Sequence, residues 1–527
     1  MMRVLVSDSI SDKGVEILRS AGLTVDVKTK LTPSELINII GEYEGLVVRS
    51  ATKVTADVVN AARKLKVVGR AGAGLDNIDV PASTKKGVVV MNTPGGNTVT
   101  TAEHAVAMLL SLIRLIPQAT ASTKSGKWEK NKFTGQEFYN KTFGIVGMGR
   151  VGGHVAKLGQ GLLMNVLAFD PYLSQENAQK MGVELVSLDE IYRRSDFITI
   201  HTPLTPETRN LIGSEAINKM KDGVLIVNCA RGGIVDETAL YEGLKSNKIG
   251  GAAFDVFVQE PVDAQNPLLS LENFICTPHL GASTTEAQEN VALAIAEQMV
   301  DYLTKGVIRN AANFPSVSPD VLPRLQPYIT LAEKLGAFQA CISEGAIEKV
   351  SIEYRGKVAE LSAAPLTIAA LKGLLTPILE DSVNYVNAPI IAQERGIGVE
   401  ESKNRDAGDY ISLITIKVQT SAGTNEAKGA LFSRRDPRII EINGYPLEVV
   451  PEGYMIVLSN VDKPGVVGNI GTILSNHNIN IARMQFGRDV PGGKVLSVIS
   501  IDSPASPELM EQIKKLPNVL SVKQIKL

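Results

Sequence analysis

Short apolar runs alternate with longer stretches of helical period through the first ~98 residues. The runs at 3–7, 45–49, 66–69 and 88–92 are rich in β-branched residues, and between them apolar residues recur every three to four positions. This is the alternation of a parallel α/β layer, whose strand ends carry the polar residues that meet a ligand. Thr100 and Glu103 stand in the S/T-x-x-E order of a capping box ahead of the apolar stretch 105–115, so the pattern predicts a long helix starting there and linking two lobes. A second α/β unit runs to about residue 285, with strands expected at 143–146, 165–169, 197–201, 224–228 and 251–254. The segment 284–305 is amphipathic again and is expected to return to the first lobe, which makes the second unit an insertion within the first.

Past Pro315 the regular alternation stops. Prolines 315, 319, 323 and 327 mark a linker. Two β-type runs at 438–442 and 445–450 then flank Asn443-Gly444, the pair suited to a type I′ hairpin. Residues 454–527 read strand, helix, strand, strand, helix, strand, with Pro464-Gly465 opening the first helix and 490–493 turning between the middle strands. That order is the βαββαβ split unit of a ferredoxin-like domain. The expected division is 1–98 with 286–314, then the inserted 99–285, an α+β region at 315–451 and a last domain at 452–527.

A length of 527 residues agrees with three to four domains, and 44% hydrophobic with 21% charged residues is ordinary globular composition. The formal charge of −2 offers no field for nucleic acid. The longest uncharged apolar run, 105–113, is far short of a membrane span. Neither nucleic acid nor membrane is expected as a partner. Residues 1–8 read as a first strand rather than a signal peptide. Cys229, Cys276 and Cys341 lack C-x-x-C spacing, so neither a disulfide framework nor a metal site is expected, and a reducing cytoplasm is the natural compartment.

The chemistry concentrates in the inserted unit. Gly147, Gly149 and Gly152 follow an apolar run with the G-x-G-x-x-G spacing that turns a strand into a helix, on whose N-terminal amides a dinucleotide pyrophosphate can lie. Asp170 closes the next strand, 18 residues beyond Gly152, near the spacing at which a carboxylate meets ribose hydroxyls. Pro171 and Tyr172 follow it instead of an arginine, which favours NAD over NADP. Arg231 stands among small residues after a strand end, where a guanidinium can grip a substrate carboxylate and polarise the adjacent carbonyl. Glu260 interrupts the end of an apolar run. His279, in Thr277-Pro-His-Leu-Gly, becomes a general base if a carboxylate holds its tautomer. Histidines 104, 154, 201 and 477 read as structural.

The glycine fingerprint, together with the segments 228–233, 255–261 and 277–282, resembles the D-isomer-specific 2-hydroxyacid dehydrogenases. Segments 48–53 and 69–76, with the long C-terminal extension, look most like the members that oxidise 3-phospho-D-glycerate at the start of serine synthesis. The resemblance covers nearly the whole chain. It implies a Rossmann NAD-binding domain inserted in a flavodoxin-like substrate domain, then an intervening domain of the allosteric substrate-binding type, and an ACT domain. It also implies an Arg231, Glu260, His279 catalytic set in a cleft that closes on substrate. NAD contacts carry onto Arg150, Val151, Asp170, Thr202, Cys229, Ala230, Arg231, Asp255, His279, Leu280, Gly281 and Ala282. Arg49, Ser50 and Arg70 are the expected substrate contacts, with Lys132 reaching in from a neighbouring subunit of a homotetramer. Asn460, Asp462 and Asn480 would receive an effector, L-serine, between two ACT-type domains. Two alternatives are a dehydrogenase for an unphosphorylated acid such as glycerate, or a reductase of hydroxypyruvate, and an NAD-sensing binding protein on the same fold. The first leaves Arg49, Arg70 and Lys132 without a phosphate, and the second leaves an amino-acid-sensing domain unexplained.

Overall fold

The computed structural model describes residues 1–315 and 321–527, except for the side chain of residue 381. The first sheet is five-stranded and parallel, in the order Thr24–Val27, Arg3–Val6, Gly45–Val48, Val67–Arg70, Val89–Met91. Its central strands are apolar on both faces because helices cover both, so they read as continuous runs. The edge strand Thr24–Val27 was not legible. Its Thr-Val-Asp-Val sequence is half exposed and carries no such run.

The inserted sheet has seven parallel strands in the order Phe274–Cys276, Ile249–Phe254, Val224–Asn228, Phe197–Ile200, Thr142–Val146, Asn165–Phe169, Glu184–Leu185. Strand order reverses between Thr142–Val146 and Phe197–Ile200, which opens a crevice at their carboxyl ends.

Helix Thr98–Ile113 joins the two lobes, and here the expected start is corrected. The helix begins at Thr98 rather than Thr100, and no side chain caps it. Thr98 is buried and Thr100 turns to Thr284, so tertiary packing fixes the start in place of the local Thr100–Glu103 box. Helix Thr285–Lys305, capped by the Thr284 side chain, returns to the first sheet. Ile295 and Met299 lie over Gly69, and Ala292 lies against Gly14.

The linker is shorter than its prolines suggested. Pro323 lies in the first turn of helix Leu322–Ile342, where its missing N–H costs nothing, and Pro327 lies inside that helix. Pro319 falls outside the described residues. This helix and Ala364–Leu379 pack on a six-stranded sheet whose hairpin at Asn443 (φ 51°) and Gly444 (φ 84°) has the expected type I′ signs.

The last 74 residues, 454–527, fold as βαββαβ, with strand order Ile481–Arg488, Lys494–Ile501, Tyr454–Val461, Val519–Lys526. Helices Val466–Asn476 and Pro507–Lys514 cover one face. On the other face Met455, Val498 and Ile525 join the core of the preceding region, among Phe338 and Val418. That region in turn inserts Val386 into the core of the first lobe beside Val89 and Met91, and Asn384 donates to the Gly87 carbonyl at 2.7 Å.

Candidate active site

At the crevice the strand Thr142–Val146 passes through the glycine turn into helix Arg150–Gly161. A Cβ on Gly152 would lie 2.0 Å from the Gly147 carbonyl, so only glycine lets helix and strand approach this closely. Gly149, at the helix N-cap, faces open space where an anion can reach the free amides. Asp170 is half-buried and accepts the Met148 N–H at 2.8 Å on one oxygen and the Tyr172 N–H at 2.8 Å on the other. It braces the glycine turn besides bringing a negative charge to it. The Thr202 hydroxyl is buried without a hydrogen-bond partner, and the methyl of the same side chain lies against Gly147. Arg150 reaches across to the Pro94 carbonyl at 2.7 Å, and Val151 packs partly buried beside it. Cys229 is buried and burial pushes its thiol pKa up, so it lines the wall as an inert apolar group. These residues fit a bound dinucleotide.

Arg231 follows strand Val224–Asn228 in a turn held by Asn228, whose side chain donates to the Arg231 carbonyl and accepts from the Ala230 N–H. Gly232 approaches the Phe257 carbonyl so closely that a Cβ would lie 1.9 Å from it, which presses the arginine loop against the loop bearing Glu260. The Arg231 guanidinium gives Nη1 to the Ala230 carbonyl, and its Nε lies 3.3 Å from Asp76 of the other lobe.

Glu260 Oε2 lies 2.7 Å from His279 Nδ1, while its Oε1 accepts the Phe257 N–H at 3.1 Å. The hydrogen bond to Glu260 raises the His279 pKa above 6.5 against the pull of burial. Burial pulls Glu260 up, but its bonds to His279 and Phe257 outweigh this and leave it lowered. His279 sits at φ 56°, in the left-handed region. Asp255, fully buried, holds that loop by accepting the Leu280 and Gly281 N–H groups at 2.7 Å each. Its carboxylate is thus spent on the loop 277–281, with Ala282 following.

The first lobe presents Arg49 and Arg70 at adjacent strand ends. Asn77 ties them together, accepting from Arg70 Nε at 2.9 Å and donating to the Arg49 carbonyl at 2.7 Å. Burial lowers the Arg70 pKa; Asp76 opposes this, and the charges of Arg231 and Arg49 add to it, so three guanidiniums share one field. Arg49 also donates to the Ser9 carbonyl, and with Ser50 and Lys30 it lines a hollow of about 330 Å³. Lys132 is not brought to this cluster within the chain. It lies on an exposed arm, 3.9 Å from Glu272 and near the 87%-exposed Trp128.

The residues expected to receive an effector divide in the same way. Asn460 is buried beside Ser497, and Asp462 accepts from Arg488 at 3.2 Å and from the Gly492 N–H at 3.1 Å. Both line a cavity of about 310 Å³ together with Val467 and Phe486. Asn480 binds Asp502 instead. The ladder pairs Asn460 with Val495 and Ile481 with Ile501, which puts Asn480 at the opposite end of the sheet, on the order of 20 Å away.

Sequence reasoning missed Asp76, Asn77, His104 and Arg488. Asp76 closes the segment 69–76 and Asn77 lies just past it, and neither carries a spacing signal. His104 was set aside as structural, and the Asp462–Arg488 pair spans 26 positions that only the folded sheet closes.

The chain matches the NAD-binding domain of D-isomer specific 2-hydroxyacid dehydrogenases over residues 106–281, the D-3-phosphoglycerate dehydrogenase intervening domain over 324–443 and the ACT domain over 454–518. The D-3-phosphoglycerate dehydrogenase of Archaeoglobus fulgidus is 47% identical, with 100% of each chain covered. That of Synechocystis sp. is 46% identical, covering 100% of this chain and 95% of its own. Among solved structures, the NAD+-bound 3-phosphoglycerate dehydrogenase of Entamoeba histolytica is similar with a TM-score of 0.50 at 30% identity, over 60% of this chain and 99% of that one.

Proposed function

The chain belongs to the D-3-phosphoglycerate dehydrogenases, and we propose how its residues divide the work. It is an NAD-dependent oxidoreductase that converts 3-phospho-D-glycerate to 3-phosphohydroxypyruvate, the first step of L-serine synthesis. Bound NAD supplies the hydride acceptor. Arg231, its Nε occupied by Asp76, offers its remaining N–H groups to the substrate carboxylate and to the oxygen that becomes the carbonyl. Arg49 and Arg70 hold the phosphate end. His279 takes the hydroxyl proton on Nε2 as the C2 hydride departs, and Glu260 on Nδ1 stabilises the imidazolium that forms. The convergence of three arginines with a histidine–carboxylate pair in one interlobe cleft carries this reading.

The test is the absorbance of reduced nicotinamide with 3-phosphoglycerate, glycerate and D-lactate. A clear preference for the phosphorylated acid is expected; equal rates on all three would remove the phosphate role of Arg49 and Arg70. We further place Asp462 and Asn480 of two different copies around one L-serine, in a homotetramer whose arms present Lys132 to a neighbouring cleft. A reducing cytoplasm suits the three free cysteines.

A further inference from the structure

Helix Thr98–Ile113 carries a second histidine–carboxylate pair behind the first. His104 Nε2 lies 3.2 Å from Asp255 Oδ1 and 3.1 Å from the Thr277 hydroxyl. The Thr277 hydroxyl is 2.6 Å from the same Asp255 oxygen and gives its hydrogen there, because a carboxylate only accepts. Thr277 therefore faces His104 as an acceptor, as Asp255 does, and Nε2 must carry the proton. The remaining bonds to the Asp255 side chain, from Thr277, Leu280 and Gly281, all come from the loop that bears His279. His104 is the tie from another element.

That loop has a conformational cost to hold. His279 at φ 56° occupies a left-handed backbone region that is unfavourable for a side-chain-bearing residue, so the surroundings must over-determine it. Asp255 does so only if its carboxylate keeps its rotamer. We propose that His104 is a positioning residue for His279: by fixing the Asp255 carboxylate it pins the catalytic loop to the helix that joins the lobes. The same helix face reinforces the pinning, since Thr100 meets Thr284 and Thr101 lies against Gly281. The inference rests on the acid–base role proposed for His279.

The experiment compares His104→Leu and His104→Gln in the full-length enzyme, with His279→Asn alongside, by steady-state kinetics and thermal unfolding. Gln keeps an N–H donor at similar reach, and Leu keeps only the bulk. The expected result for His104→Leu is a kcat about ten-fold lower with both KM values within about two-fold of wild type, as for a group acting only on the reacting geometry. Gln should recover most of that loss. Unchanged kcat in His104→Leu, or equal losses in Leu and Gln, overturns the proposal. Should Leu not accumulate, Gln against the shorter Asn makes the same comparison, and equal kcat values for the two overturn it. If His279→Asn keeps wild-type turnover, the acid–base reading itself falls, whereas a dead His279→Asn beside an unaffected His104→Leu sinks only this inference.

Discussion

In the catalytic cleft, side chains at 49, 70, 76, 231, 260 and 279 come from both lobes and meet around one space; in the C-terminal module, Asn460 and Asp462 stand at one end of a sheet and Asn480 at the other. The difference lies in topology. Parallel strands all deliver their loops to the same edge, so in two facing α/β lobes every strand-end loop points into one crevice. In the βαββαβ unit the crossover helix carries the chain back to the far edge before the second strand begins. A loop after the first strand and a residue entering the second cannot share a ligand within one copy. The arginines and the His279–Glu260 pair therefore meet within a single chain, whereas a serine shared by Asp462 and Asn480 would need two copies. The packing between them is continuous: the module shares a core with the intervening region, which seats Val386 in the substrate lobe.

The largest expected effect tests the acid–base pair of the cleft. His279→Asn should lower kcat by about 10²–10⁴-fold, the contribution of a positioned acid–base group, with NAD affinity retained in a direct binding titration. Turnover near wild type would mean the base lies elsewhere. Next, Arg49→Gln should raise KM for 3-phosphoglycerate by about 10–100-fold, the loss of a charge-assisted contact, while barely moving that for glycerate. Equal effects on both acids would assign Arg49 to the carboxylate instead.

The two-copy site has a sharper test. Asp462→Ala and Asn480→Ala should each abolish serine inhibition, a coupling of about 1–3 kcal/mol. Co-assembled in one particle, they should regain it, because each mixed pair holds one site with both residues intact. Calorimetry on the mixture measures this, and no recovered binding would show that the two residues do not share a ligand. Deleting residues 453–527 would not isolate this site, since it bares the core around Phe338 and Val418.

The smallest effect is a shift in pH profile. Oxidation of 3-phosphoglycerate needs neutral His279 to accept a proton, and Glu260 raises its pKa above 6.5, so the acidic limb of kcat/KM should lie above that value and fall as the imidazole protonates. In Glu260→Gln the limb should move down toward 6.5, beneath a lower plateau. An unmoved limb would detach Glu260 from the titration.

The sequence by itself determined the strands buried on both faces, the glycine turn at 147–152, the Asn443-Gly444 hairpin and the order of the last six elements. Each of these is written in local periodicity or in a backbone conformation only certain residues adopt. It also named Glu260 and His279, 19 positions apart, which the fold brings into hydrogen-bond contact. The tertiary structure alone decided that helix Thr98–Ile113 starts before its apparent cap, that Pro323 and Pro327 lie inside a helix, that Asp170 and Asp255 spend their carboxylates on backbone amides, and that Asn480 stands apart from Asp462. These outcomes depend on partners tens to hundreds of positions away. Spacing along a chain shows which side chains can do chemistry, but where their hydrogen bonds go is settled only when distant segments pack and each buried polar group takes the nearest available partner.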